Sequence, residues 1–366
     1  MRFNLLADRW ITIIRDTGET DQVSMLYALT NAHKIRDIYE TLPTFAYSVR
    51  RLLSLIVQDI FMPLDEEDFR DLIEAGKFDL MQLLAFQDEF DAEFELVGQE
   101  AFMQDNSIPA DQPGPAYTPK PAAYLTPDVP VAVNHTHFRH VSDATTVICP
   151  SCAAHGLVSL PQFVTIGGQG FWQGINPGPP IYVEPVGHNL FETLVFSMVL
   201  PENQTKTDTW GPPWRRTGAH QPKTVDKVDN AWGGTFLPRR VRLYPVEHKG
   251  PCTRCGMPME FGVKDIIYMS GPKWIGEAGT WVDPFCFYRK GRPVGAYGEY
   301  NDWTERMAKI FAGDPDKKGV PTAVKPIIVR QTQALGINVS WRLIFARTDQ
   351  AKYFETGEVV VSPSGG

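Results

Sequence analysis

Cys149-Pro-Ser-Cys152 and Cys252-Thr-Arg-Cys255 are two CxxC pairs in a chain with one further cysteine, Cys286. Each CxxC turn aims both sulfurs at one point, so two pairs can supply the four ligands of a tetrahedral Zn²⁺. Gly256 follows the second pair directly and suits a tight turn there. Two unrelated surface turns or a disulfide framework are the competing readings. A disulfide framework leaves Cys286 over and has no secretory signal to accompany it. With cysteine at all four positions no place remains for a reactive water, so the expected metal is structural. The fold class that follows is α+β: a large, mixed, irregular domain stapled by a four-cysteine zinc site.

The 366 residues, 43% hydrophobic and 11% aromatic, suffice to bury a large core as one big domain or two. The opening MRFNLLADRW has neither the basic n-region nor the apolar h-region of a signal peptide. No apolar run reaches the roughly 18–20 residues that span a bilayer. A soluble cytoplasmic protein without a membrane partner is therefore expected. Net charge is −8, but unevenly spread. Residues 65–105 hold 14 acidic and 2 basic side chains, which leaves 29 acidic against 33 basic elsewhere, a net +4. The global charge thus leaves room for a nucleic-acid surface outside the acidic stretch.

Upstream of the first pair, Phe3–Ile14 and Gln22–Ser24 flank the hairpin turn Asp16-Thr-Gly-Glu19. Phe45, Val49, Leu52, Leu53, Ile56 and Ile60 recur at helical spacing, with Arg50 and Arg51 expected on a solvated edge or facing phosphate. Asp65 is placed to cap an acidic helix whose Phe69, Leu72 and Ile73 face inward. Seven prolines between Pro109 and Pro130 then predict one long extended loop over 105–148. It ends in Asn134-His-Thr-His-Phe-Arg-His140. The three histidines can bind a metal; alternatively Asn134, Phe138 and Arg139 can contact RNA, Phe138 by stacking and Arg139 through phosphate; a plain surface loop is the third possibility.

Between the cysteine pairs, Ile166-Gly-Gly-Gln-Gly-Phe-Trp-Gln-Gly174 places four glycines within eight residues. It is neither a Walker A sequence nor a helix-opening GxGxxG. Such a loop permits close backbone approach to a ligand, or is simply a tight turn. A strand at Pro180–Glu184 and a helix at Asn189–Leu200 follow. The tryptophan-rich loop 201–238, with Trp210, Trp214, Arg215, Arg216, Lys223 and Lys227, suits a backbone contact or a protein interface. Strands are expected on both sides of the second cysteine pair and of the turn Lys290-Gly-Arg-Pro293. A short helix is expected at Trp303–Phe311 and another around Val324–Leu335. A β-hairpin closes the chain: Val339–Phe345, a tip at Arg347-Thr-Asp-Gln-Ala-Lys352, and a returning strand through Val361.

The order of FNLLADRWITI, Ala101-Phe-Met-Gln104, the two CxxC pairs around a glycine loop, and the terminal hairpin resembles one family across nearly the whole chain. That family is CasA, the large subunits of the type I-E CRISPR surveillance complex, Cascade. The resemblance implies a subunit that is not an enzyme. It would hold the 5′ end of the guide RNA, read the protospacer-adjacent motif (PAM) in double-stranded target DNA, and open the first base pairs. Its other partners would be the remaining Cascade subunits and a helicase–nuclease. The family's zinc ligands map to Cys149, Cys152, Cys252 and Cys255. Its PAM-reading elements map to Gly167, Gly168, Gln169 and Gly170, to Lys273, and to the hairpin tip, where Gln350 is the wedge between Asp349 and Ala351. The family's C-terminal helical bundle has no counterpart before Gly366, Gln169 interrupts the glycine loop, and Asp349 stands where asparagine is usual.

The expected organisation is one large domain: a hairpin and helices over 1–104, the extended loop over 105–148, and a zinc-stapled part over 149–366. Physically, a glycine loop, a lysine and a narrow hairpin suit a minor groove, while base pairing with a guide supplies sequence specificity. Two other function classes remain: a metal-dependent nuclease built on His135–His140, and a purely structural zinc-ribbon assembly protein. No HNH-like or paired-carboxylate pattern accompanies the histidines.

Overall fold

The computed structural model describes residues 1–128, 146–164, 170–172, 174–176, 178–205, 211–216, 222–277, 279–296, 323–349 and 353–362. The chain begins with β1 (Ile11–Arg15) and β2 (Thr20–Val23), joined by the expected turn with Gly18 at φ 84°. Helix α1 (Met25–Thr30), capped by Ser24, leads to β3 (Ile35–Ile38), which completes the antiparallel sheet β2-β1-β3.

Helix α2 (Pro43–Phe61) is the central element. Pro43 opens it, where a missing N–H costs nothing. Every residue from Thr44 to Val57 is buried, because other elements cover the helix all round. The expected solvated edge is therefore wrong. Arg50 and Arg51 are 2% and 4% exposed, and both are ion-paired. Arg50 Nε donates to both oxygens of Glu184 (2.9 and 2.8 Å), and its Nη1 donates to Asp37 (3.1 Å). Arg51 lies 3.6 Å from Asp283 and sits over the Phe285 ring at 3.7 Å. A buried guanidinium without such partners would be far too costly.

Helices α3 (Glu66–Ala75) and α4 (Leu80–Phe90) follow, each capped by an aspartate. Asp65 accepts from the N–H groups of Glu67 and Asp68, and Gly76 ends α3 in the left-handed region. Phe69 is buried, while Leu72 and Ile73 pack against the core from half-buried positions. Within the expected loop, the described part is partly built. Ile108 is buried with Tyr244 and Ile267, and β4 (Lys120–Pro121) pairs with a later strand.

Helix α5 (Pro150–Phe163) starts at the first cysteine pair, with Pro150 at its first position. Gly156 lets α5 sit directly on the 122–125 backbone, since a Cβ there would lie 2.4 Å from Leu125 O. Strand β5 (Tyr182–Val186) and helix α6 (Leu190–Phe196) come next, α6 ending earlier than its apolar spacing suggested. Two short elements, β6 (Thr224–Val225) and α7 (Asn230–Gly234), lie in the tryptophan-rich stretch. Here too the expectation fails in part. Trp214 is fully buried, donates to Asp59 (2.9 Å) and stacks on Phe94, so it is core rather than interface. Trp210 lies outside the described residues.

The long strands β7 (Arg239–Pro251) and β8 (Pro258–Ser270) pair antiparallel and carry β4 on the β8 edge. Strand β9 (Lys273–Trp274) runs parallel to β6, and β10 (Tyr288–Arg289) turns back into β11 (Arg292–Pro293) at Lys290-Gly291, both at positive φ. Helix α8 (Ile327–Ala334) precedes β12 (Ser340–Asp349) and β13 (Tyr353–Val361). These form the sheet β13-β12-β5, with Trp341 opposite both Val361 and Pro185. The expected helix at 303–311 lies outside the described residues. Among the described residues, no helix is long and apolar enough to cross a membrane.

Candidate metal centre and nucleic-acid face

The four cysteines converge. Cys149 and Cys152 occupy the N-cap and first turn of α5, while Cys252 and Cys255 lie in the turn between β7 and β8. The first pair is thus a helix start and not a free-standing turn. Its sulfurs lie 3.7 Å (Cys149 to Cys255) and 3.8 Å (Cys152 to Cys252) from those of the second pair, and all four fall within 4.8 Å of one another. A tetrahedral site with zinc–sulfur bonds of about 2.3 Å has sulfur–sulfur edges of about 3.8 Å. None of the four is in a disulfide. Backbone N–H groups support the sulfurs: Cys149 N donates to Cys252 Sγ (3.2 Å) and Cys152 N to Cys149 Sγ (3.4 Å). Gly256, at φ 76°, closes the second turn by donating to Cys252 O (2.9 Å).

Packed without a cation, such thiols cannot all ionise together. Hydrogen bonds from Cys149, Cys152 and Cys255 pull Cys252 below its ordinary value, while the same kind of contact pushes Cys152 above it. A divalent cation resolves this conflict, and four sulfurs at this spacing fit one. The residues therefore fit a structural metal, held by Cys149, Cys152, Cys252 and Cys255.

A second feature lies along the end of β8 and on β9. Lys273 is exposed, and its Nζ stands 4.7 Å from the centre of the Trp172 ring. Trp172 is 47% exposed although its backbone is fixed at both polar atoms. Its N–H donates to Ser270 Oγ, and Arg239 donates to its carbonyl, each at 2.9 Å. Arg239 in turn lies over Phe171, 4.7 Å from the ring centre. Gly170, two residues earlier, is exposed at φ 93°, a conformation that favours glycine. The structure so brings the described end of the glycine loop to the predicted lysine. A cleft of about 400 Å³ opens beside this contact, lined by Trp172, Lys273, Trp274, Glu277, Trp281 and Arg292.

Gly167, Gly168 and Gln169 lie outside the described residues, as do Gln350, Ala351, and the Asn134–His140 stretch with Phe138 and Arg139. Asp349 ends β12, opposite Tyr353 of β13. Two residues were missed by sequence reasoning. Trp172 stands in the sequence only as a member of the glycine-rich run, and no spacing links it to Lys273. Arg254 sits inside the second CxxC pair; its Nη1 reaches Cys152 Sγ at 3.6 Å.

The model of the CRISPR-associated protein Cse1 family matches residues 4–307. A CasA/Cse1 protein of Thermus thermophilus is 25% identical over 225 residues, 59% of this chain. The match spans 43% of that relative's length, less than half. The structure of Thermus thermophilus CasA (Cse1) aligns with a TM-score of 0.72 at 20% identity, over 100% of this chain and 76% of that one. A chain of a CRISPR RNA-guided surveillance complex aligns with a TM-score of 0.75 at 16% identity, over 100% of this chain and 76% of its own. At such identities the structural likeness establishes the fold, a mixed arrangement of helices and small sheets. Family membership comes from the match over 4–307, which includes both cysteine pairs, Gly170 and Lys273: the chain belongs to the CasA/Cse1 family of CRISPR-associated proteins.

Proposed function

We propose that the chain is a non-catalytic, cytoplasmic subunit of an RNA-guided antiviral surveillance complex, Cascade. In this role it recognises the PAM in duplex DNA and wedges open the first base pairs. It also contacts the 5′ end of the guide RNA, next to the other Cascade subunits, and helps to recruit a helicase–nuclease. The observation that supports the reading is the contact of Lys273 with Trp172, which follows exposed Gly170 by two residues and lies about a hundred residues from Lys273 in sequence.

Each residue there has a physical task. Lys273 offers a cation to phosphate or to acceptors on the groove floor. Trp172, clamped through its backbone, offers a rigid apolar face to a sugar or an unstacked base at little entropic cost. Gly170 turns the chain without a side chain in the way of the approaching duplex. Strands β12 and β13 pair over nine residue pairs, and from Phe345 to Asp349 this ladder runs on beyond the pairing of β12 with β5. Gln350, next in the chain, is the wedge, with Asp349 and Ala351 beside it. Separating a base step costs a few kcal/mol, which groove and phosphate contacts offset. Bound zinc would supply a rigid link between the start of α5 and the β7–β8 turn.

Lys273→Ala tests the assignment in the reconstituted complex. Duplex affinity should fall, and the slope of log affinity against log salt should flatten by about one contact. An unchanged slope with PAM-containing duplex would remove Lys273 and this face from DNA binding.

A further inference from the structure

The two residues inside the second CxxC pair hold both flanks of one long segment. Thr253 N–H donates to Val147 O (2.9 Å), and Val147 N–H donates back to Thr253 Oγ1 (3.0 Å). Arg254 Nε donates to both carboxylate oxygens of Asp128, at 3.1 Å each. Asp128 and Val147 flank residues 129–146 of the sequence.

Arg254 also faces the metal centre. Its Nη1 donates to Cys152 Sγ (3.6 Å), and its Nη2 reaches Thr41 Oγ1 (3.3 Å) and Glu40 (3.7 Å). The guanidinium lies over Phe45 at 4.7 Å, and the side chain is only 5% exposed. The Asp128 and Glu40 carboxylates face this buried guanidinium and balance its charge. Four thiolates around one divalent cation leave two negative charges in excess. The N-terminus of α5 and the Arg254 guanidinium are positive groups placed against that excess.

We propose that Thr253 and Arg254 form a clasp that couples metal binding at the cysteine centre to the anchoring of Asp128 and Val147. Arg254 is the positioning residue that serves both. Metal on Cys252 and Cys255 fixes the turn between them, and the fixed turn aims Thr253 and Arg254 at the two flanks. Linkage makes the effect reciprocal: holding the flanks raises metal affinity by the same factor.

Two variants and one metal-stripped sample test this in the full chain. Arg254→Ala should weaken zinc affinity about 10–100-fold, the usual effect of losing a group that supports a metal ligand. Asp128→Asn guards against a misfolded Arg254 variant, because Asp128 is partly exposed and keeps its shape while losing its charge. It should weaken zinc in the same direction. Zinc affinity is read by competition with a chromophoric chelator, and anchoring by the rate of protease cleavage between 129 and 145, mapped by mass spectrometry. Both variants should be cut faster there with zinc saturating, and wild type stripped of zinc should be cut faster too. If Asp128→Asn keeps zinc affinity and cleavage within twofold of wild type, or if stripping zinc leaves cleavage unchanged, the clasp is refuted. Guide-RNA affinity is measured in parallel. Faster cleavage with unchanged RNA affinity upholds the clasp and removes Asn134, Phe138 and Arg139 from the RNA contact.

Discussion

Glu184→Gln is the sharpest perturbation of the scaffold. Glu184 is 2% exposed and lies on β5, between two guanidiniums. It accepts both bonds from Arg50 Nε and a third, at 3.0 Å, from Arg342 Nη1. Asp37 on β3 accepts from the same two arginines, so two positive charges face two negative ones. Neutralising Glu184 leaves both arginines to Asp37 and to the more distant Glu358, 3.7 Å from Arg342. At about 4 Å and an effective dielectric near 20, each lost pair is worth about 4 kcal/mol, or about 8 kcal/mol for two. Relief of the buried carboxylate's desolvation returns several kcal/mol, so the net loss should be about 3–5 kcal/mol. The glutamine also turns an N–H₂ donor toward donors. Urea unfolding followed by tryptophan fluorescence reads the loss, and hydrogen exchange should localise it to β5 and β12. Glu192→Gln, whose ion-pair partner among the described residues is the exposed His188, is the control and should cost less than about 1 kcal/mol. A loss below about 1 kcal/mol for Glu184→Gln would show that these pairs merely break even with water and do not hold the strands.

Three further outcomes follow from the same geometry. Cys152→Ser should lose the metal and loosen the start of α5 together with the β7–β8 turn, since structural zinc contributes folding energy directly; full protease resistance with no zinc by elemental analysis would refute a structural metal. Burial raises the Asp37 carboxyl, but Arg50 and Arg342 outweigh it and hold the group below its ordinary value. Its contribution is therefore present above the unfolded pKa of about 3.9 and is lost as pH falls through the folded value, so the urea midpoint should drop below about pH 4, less steeply in Asp37→Asn. Gln350→Ala should reduce opening of the first base pair, read by a fluorescent base analogue, more than it reduces duplex binding; equal losses would count against a wedge acting after docking.

Much of this was legible because it rests on local chemistry. The hairpin β1–β2 is announced by Thr-Gly, α2 by its apolar spacing and Pro43, and the convergence of four cysteines by two CxxC pairs. What failed in the sequence depended on partners far along the chain. Arg50 and Arg51 lie among apolar residues on a helix, and a charge in such a place reads as a water-facing edge. Apart from Asp37, a partner of Arg50 nearer in sequence, their carboxylates Glu184 and Asp283 lie well over a hundred residues away, where no periodicity connects them. Trp214 misled for the same reason, since its partner Asp59 belongs to α2. The meeting of Trp172 with Lys273 was equally invisible to spacing; the order of motifs singled out the neighbouring glycine loop and Lys273 but not Trp172.

The misread arginines also bear on the proposed mechanism. A strand pair that separates bases must not yield at its root when the duplex pushes back. Separating a base step costs a few kcal/mol, so a root weaker than that would bend before the base pair opened. Strand β12 is rooted by its pairing with β5 and by Arg342, whose guanidinium joins Glu184, Asp37 and, through them, Arg50 of the buried α2. Breaking that network costs about 3–5 kcal/mol, a margin of the same size as the load. A Glu184→Gln complex with intact PAM binding and impaired base-pair opening would place the mechanical limit at this root; opening at the wild-type rate would mean that the ladder of β12 with β13 and β5 carries the load by itself.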